Sequence, residues 1–287
     1  MYNLYQKILD NPSSFKQLSC GESLITVFNC PLEKKFEDAW SHYNYIIYVI
    51  DGRKIWHTAH GSYDLRKDSC VFVRKGACIV EQFFDARFCL VLFFVPDEFI
   101  CEVLKTKSTP IQKPGKKYEP IIPIENDEVI QAFFQSMMPY FETRRQRDRS
   151  LLELKFRELI LTMADNPANS ELLSYFCYLL QEPQTVSMRR IMEDNFCFNL
   201  KMEEFARMCS RSLSAFKRDF VRLYNTSPGR WLMEKRLNHA LHLITNIGKT
   251  VSESAFESGF ESPSHFSRAF RQRFGTSPGT VRQAALC

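Results

Sequence analysis

The 287-residue sequence predicts an α+β chain: a β-rich N-terminal domain, a helical segment, and an all-α C-terminal domain in which one helix-turn-helix unit is written twice. Three observations predict it. Thr-Ser-Pro-Gly stands at 226–229 and again at 276–279, with related sequence before each copy. Short β-branched and aromatic runs, separated by turn residues, fill residues 20–100. Charge divides unevenly: from Gln184 onward there are 16 Lys and Arg against 9 Asp and Glu, a net +7, and the remainder carries −2.

The C-terminal repeat can be followed residue by residue. "LSAFKRDFVRLYNTSPG" and "PSHFSRAFRQRFGTSPG" place Phe216 on Phe266, Arg218 on Arg268, Phe220 on Phe270 and Tyr224 on Phe274 at an offset of 50. The i, i+4, i+8 spacing of these aromatics puts them on one helical face. Ser227-Pro228 and Ser277-Pro278 each offer an N-cap followed by proline at the first helical position. Upstream, "MEEFARMCSRS" and "VSESAFESGFES" read as a short helix and a turn, with Ala206 and Ala255 small enough for close packing. Ser212 and Ser262 are candidate N-caps for the second helices. The second turn is one residue longer and contains Gly259, which takes positive φ without strain. Between the units, Pro228 to Thr245 carries Met233, Leu237, Ala240, Leu241 and Ile244 along one side, and Asn246 and Gly248 can end that helix.

A basic C-terminal third built of two such units points to a polyanion, and duplex DNA is the expected partner. The Phe face of each second helix is core, so the opposite face is free for DNA. That face holds Ser214, Lys217, Arg218 and Arg222 in the first unit, and Ser264, His265, Ser267, Arg268 and Arg271 in the second. Arg218 and Arg268 suit bidentate contact with guanine, and Lys217, Arg222 and Arg271 suit phosphate contact. His265 has no second ligand at metal-binding spacing.

The tandem units, their unequal turns and "GFESPSHFSRAFRQRFGTSPG" resemble the AraC-type (AraC/XylS) transcription regulators over roughly Val186 to Arg282. The resemblance implies a seven-helix DNA-binding domain, with the second helix of each unit in the major groove and a long helix joining the units. It also implies an activator that contacts RNA polymerase. Ser254 stands where the family usually has isoleucine, and Phe205 where it usually has leucine.

The N-terminal runs "SLITVF", "YNYIIYVIDG", "RKIWHTAHG", "SCVFVRKG", "CIVEQFF" and "FCLVLFFVP" predict a sandwich or barrel. The family resemblance implies a cupin-like jelly roll that receives a signal, and "YDLRKDSCVFVRKG" resembles a strand-turn-strand of such a roll with its turn at Lys67-Asp68. Tyr45, Tyr48, Trp56 and Phe72 are candidate ligand-pocket residues, although aromatic strands more often fill a core. The alternative is a cupin-type metal-dependent enzyme carrying a DNA-binding module. His42, His57 and His60 are its candidate ligands, but they lack the spacing of a metal site. No metal, other cofactor or catalytic residue is therefore expected. A third reading is a regulator whose input is another protein rather than a small molecule.

Domain boundaries are expected at 1–125, 126–182 and 183–287. In the middle segment Val129, Phe133, Phe134, Met137, Met138 and Phe141 form a broad apolar stripe. One face would pack on the β-domain, and the surplus predicts a homodimer contact through this helix or its neighbour at Leu151–Met163. "TRRQRDR" is expected as a solvated loop, and Gln181–Ser187 as the interdomain linker. No apolar run reaches membrane-spanning length, the start lacks a signal-peptide core, and ten scattered cysteines suit a reducing cytoplasm.

Overall fold

A computed structural model of the chain describes residues 1–286 except 30–33, 84–87, 112–114, 116, 143–147 and 182–183. It divides into two compact units, Met1–Pro183 and Gln184–Cys287.

The first unit begins with β1 (Tyr2–Asn3), α1 (Leu4–Leu9), β2 (Lys16–Cys20), β3 (Ser23–Asn29), β4 (Phe36–Ser41), β5 (Asn44–Asp51), β6 (Arg53–Thr58) and β7 (Gly61–Arg66). It continues with β8 (Cys70–Val73), β9 (Gly76–Gln82), β10 (Cys89–Val95), α2 (Asp97–Lys105), β11 (Ile121–Pro123), α3 (Glu128–Glu142), α4 (Arg149–Asp165) and α5 (Ser170–Gln181). One sheet has the order β1-β4-β9-β6-β7 and the other β11-β8-β5-β10-β3-β2. Strand pairing is nested: β3 with β10, β4 with β9, β5 with β8 and β6 with β7, all antiparallel. Successive strands from β3 to β6 alternate between the two sheets, which is the winding of a jelly roll.

The unit has three layers, and the six-stranded sheet is the middle one. Side chains alternate along each strand, so both of its faces must find cover. Tyr45, Ile47, Val71, Val73, Leu92 and Phe94 face the five-stranded sheet and meet Trp56, Leu65 and Cys78 there, with Tyr5 and Ile8 of α1 in the same cluster. Ile46, Tyr48, Phe72, Val91 and Phe93 belong to the opposite cluster, with Ile100 and Val103 of α2, Phe133 and Phe134 of α3, Phe156 of α4 and Phe176 of α5. This double burial explains why "NYIIYVID" and "CLVLFFV" are apolar at almost every position. The outer sheet alternates more plainly, and its edge strand β7 buries Leu65 while Asp64 bonds Arg53 and Arg66 at the surface.

Several expectations change here. The strand-turn-strand at Lys67-Asp68 stays, with Asp68 at φ 67°, and its turn crosses between layers because β7 and β8 lie in different sheets. Tyr45, Tyr48, Trp56 and Phe72 do not share a pocket: Tyr45 and Trp56 are core between the sheets, and Tyr48 and Phe72 are core under the helices. Tyr48 stacks on Phe134 with ring centroids 4.4 Å apart. The apolar stripe of α3 is not surplus either. Phe133, Phe134 and Met137 are buried, Met138 and Phe141 pack partly against the same core, and Val129 is exposed. The stripe covers a second sheet face that the sequence does not reveal as uncovered. The linker expected over Gln181–Ser187 shrinks as well, because α5 runs to Gln181 and the next helix starts at Gln184, leaving 182–183 outside the described residues. The loop expected at "TRRQRDR" also falls largely outside them.

A polar knot ties the layers together. The buried Asn44 amide, at the start of β5, donates to Asp97 of α2 at 2.5 Å. Its oxygen accepts from the Lys75 backbone N–H at 3.0 Å and from the Tyr175 hydroxyl of α5 at 3.1 Å. Lys75 closes the ring with an ion pair to Asp97 at 2.6 Å, and Arg74 lies over the rings of Tyr118 and Tyr175. A buried amide satisfied on both sides rigidifies its surroundings.

Among the described residues no helix is long and apolar enough to cross a membrane. His42 sits in an aromatic cluster with Tyr5 and Tyr43 and bonds Asn3, whereas His57 bonds Ser62 and Glu81 on the outer sheet.

Because Phe134 is core, Phe134→Glu is expected to unfold the first unit instead of releasing a folded monomer. Removing the ring alone should cost about 3–5 kcal/mol, and the charge adds to that. Loss of near-ultraviolet circular dichroism at a concentration where the wild type is folded would show it. A folded variant would return the stripe to the surface.

Candidate nucleic-acid interface

The second unit is helical throughout: α6 (Gln184–Asn195), α7 (Met202–Met208), α8 (Leu213–Tyr224), α9 (Pro228–Asn246), α10 (Val251–Glu257), α11 (Pro263–Phe274) and α12 (Pro278–Leu286). The pairs α7–α8 and α10–α11 are the two repeated units. Ser212 caps α8 through the Ala215 N–H, and Ser262 caps α11 through the His265 N–H, as their positions before the apolar faces predict. Both helices end in a left-handed residue, Asn225 and Gly275. Ser227 and Ser277 then cap α9 and α12 through the N–H groups of Arg230 and Thr280. Each Thr-Ser-Pro-Gly copy therefore has the same role: it follows directly on a left-handed helix end, and its Ser-Pro starts the next helix.

Each short helix meets its partner through a small residue. Ala206 and Ala255 are buried, and their carbonyls accept from Arg211 and Phe260, each at 3.0 Å. The two turns solve the same bend differently: Ser210 takes the left-handed conformation in the first, and Gly259 takes it in the second at φ +83°. A Cβ on Gly259 would fall 2.7 Å from the Cys197 carbonyl oxygen, so space as well as φ demands glycine there. Arg236 of α9 braces the same corner by donating to the carbonyls of Phe196 and Phe198, each at 2.7 Å.

Phe216 and Phe220 are fully buried in α8, as are Phe266 and Phe270 in α11. Leu237, Ala240 and Ile244 of α9 share the core of the second pair, and Trp231 approaches Phe220 with centroids 6.0 Å apart. Ser254 is buried with no hydrogen-bond partner for its Oγ among the described residues, where an aliphatic side chain would leave nothing unsatisfied. Phe205 is fully buried, so its bulk is absorbed.

Core burial on one side leaves the other side of each helix in solvent. Ser214, Lys217, Arg218 and Arg222 are exposed on α8. Ser264, His265, Arg268 and Arg271 are exposed on α11, and Ser267 is half-buried. Ser267, Arg268 and Arg271 line an open concavity of about 620 Å³ with Gln272, Ser277 and Gly279. Two residues of these faces escape a reading based on charge alone. Val221 is exposed on the arc between Lys217 and Arg218 and suits a thymine methyl group. Gln272 shares the concavity and suits adenine. The fifty-residue offset points to Gln272, which it pairs with Arg222.

Residues 44–175 match the ExsA N-terminal regulatory domain, and residues 205–284 match a helix-turn-helix domain. The chain belongs to the AraC-type family of transcription regulators. It is a DNA-binding regulator with an N-terminal regulatory domain. The virulence regulon transcriptional activator VirF of Yersinia enterocolitica is 26% identical to it over 82% of this chain and 87% of its own. The HTH-type transcriptional regulator ExsA of Pseudomonas aeruginosa is 32% identical over 45% of this chain and 46% of its own. Among solved structures, ToxT from Vibrio cholerae aligns over 91% of this chain and 97% of that chain, at 12% identity and a TM-score of 0.43.

Two substitutions test the packing beneath this surface. Ser254→Ala should raise the stability of the second unit by about 1 kcal/mol, because it deletes a buried hydroxyl without a partner. Gly259→Ala should lower it by more than ~1 kcal/mol through strain and the clash at Cys197. Urea unfolding midpoints of the second unit check both, and a stabilising Gly259→Ala would refute the geometry of the turn.

Proposed function

We propose that the chain is a transcriptional activator that reads two successive major-groove segments of duplex DNA with α8 and α11. The observation that carries this is the pair of exposed polar faces, each lying opposite two buried phenylalanines. The nineteen residues of α9 span about 28 Å at 1.5 Å per residue, of the order of the roughly 34–36 Å between major-groove segments on one face of a duplex. Arg218, Arg268, Ser214, His265, Val221 and Gln272 are the candidates for base contact. Lys217, Arg222, Arg271, Ser264 and Ser267 are the candidates for phosphate contact and docking. Relatives named as activators support activation, and RNA polymerase is the partner proposed for it at the promoter.

Input reaches the first unit by contact with another protein. The aromatics that would have lined a ligand site are packed core on both sides of the middle sheet, which favours a surface signal over a small molecule enclosed between the sheets. Binding, not catalysis, is the activity. The chain assembles as a homodimer through the first unit, with the contact moved from the buried stripe of α3 to the outer row of α4. There Leu151 and Leu154 are exposed and Leu161 is half-buried.

Selection of duplexes from a random pool by the full chain, followed by footprinting, tests the reading. One protomer should protect two groove segments on one face, and their sequences should differ because "SAFKR" and "SHFSR" present different side chains. Protection of a single segment would count against it. Arg268→Ala should cost about 1–3 kcal/mol at the preferred site and relax base preference there. Arg271→Ala should instead weaken all sequences alike and lower the salt slope by roughly one unit. Equal losses on every sequence for Arg268→Ala would assign it to phosphate.

Leu154→Glu should give a folded chain that sediments as a monomer. A folded dimer would place the contact elsewhere.

A further inference from the structure

The two reading helices differ at the residue behind their arginines. At the fifty-residue offset Asp219 stands against Ala269, and Arg211 against Glu261. The Asp219 carboxylate is 5% exposed, in line with the core residues of α8. Three guanidinium groups converge on it. Arg211 reaches it through Nη1 from the turn before α8, Arg218 through Nε at 3.3 Å, and Arg222 through Nη2 at 3.7 Å. Arg211 is mostly buried and closes the turn. Arg218 and Arg222 come from the solvent face, with 74% and 71% of their side chains exposed. On α11 no carboxylate lies within ion-pair distance of Arg268 or Arg271 among the described residues.

A guanidinium that gives its Nε–H to a carboxylate keeps its four terminal N–H donors in one fixed plane. Arg218 is thus a fork gripped at its base. An ungripped arginine loses rotamer freedom when it binds, whereas a gripped one has already lost part of it. The carboxylate also offsets local positive charge, which weakens the sequence-independent pull of phosphates on this helix. We propose that Asp219 is a positioning residue for base reading, which orients Arg218 and makes the half-site under α8 the more stringent of the two. Arg268, with Ala269 behind it, works as a freer cation, so the half-site under α11 tolerates more bases and contributes more salt-dependent affinity. The proposal rests on the reading that α8 and α11 both face DNA.

The test uses the full chain and the duplex that the wild type enriches from a random pool. Affinity is measured for that duplex and for each single-base variant across both half-sites, at several salt concentrations. Asp219→Asn keeps the shape and removes the charge. It should reduce discrimination at the α8 half-site about tenfold, as for loss of one well-oriented base contact. It should leave discrimination at the α11 half-site unchanged and steepen the salt slope by about one unit. Asp219→Glu should restore part of the discrimination. A purely structural loss would lower all affinities together and leave their ratios intact, which would overturn the proposal. Full discrimination by Asp219→Asn would overturn it as well. Arg218→Ala identifies the base positions concerned. A wild type with base preference in one segment only would instead overturn the two-groove reading beneath it.

Discussion

Burial of two phenylalanines one turn apart in each reading helix governs what the second unit shows to solvent. Phe216 with Phe220, and Phe266 with Phe270, are each fully enclosed, and neither helix can turn about its axis without exposing an aromatic ring. At roughly 1.5–3 kcal/mol for burying one such side chain, each pair fixes its helix's rotation more firmly than a surface ion pair worth about 0–1 kcal/mol. The polar arc is thereby set before any ligand arrives. The caps at Ser212 and Ser262 and the left-handed ends at Asn225 and Gly275 then set where each arc begins and stops along the axis.

That constraint was legible because it repeats. A single Phe-x-x-x-Phe is a common pattern, but two copies at one offset, each followed by Thr-Ser-Pro-Gly, specify helix, turn and helix together. The first unit was less legible for an equally physical reason. Apolar runs such as "NYIIYVID" announce a buried strand without saying how many layers bury it. The sequence therefore left the α3 stripe with no visible place to go, and the unoccupied face of the middle sheet was that place. β4 was missed because its acidic residues sit on the outer sheet, where only one face needs apolar cover. α1 was missed because six residues are too few to show a helical period.

At the candidate interface, charge was legible and its arrangement was not. Lys217, Arg218, Arg268 and Arg271 follow from composition and the helical face. Val221 lies among them but carries no charge to draw notice. Asp219 is harder still, because a carboxylate in a basic helix reads as a solvated residue until three guanidinium groups are found around it. Pairwise geometry of this kind depends on rotamers, and periodicity does not encode rotamers.

The knot around Asn44 bears on how such a chain can be divided and inherited. The segment matched by the regulatory-domain family starts at residue 44 and ends at residue 175, and the side chains of those two residues are hydrogen-bonded to each other. β3 and β4 pair with β10 and β9 from outside that segment, so the bond ties sheet to helix without closing off a unit of its own. A gene fusion that kept the strands but stopped before α5 would strip a helix from the middle sheet and leave the Asn44 oxygen with one donor fewer. Such a fragment would enter the cell short of cover on one face, so recombination that leaves folded descendants keeps both partners of this bond.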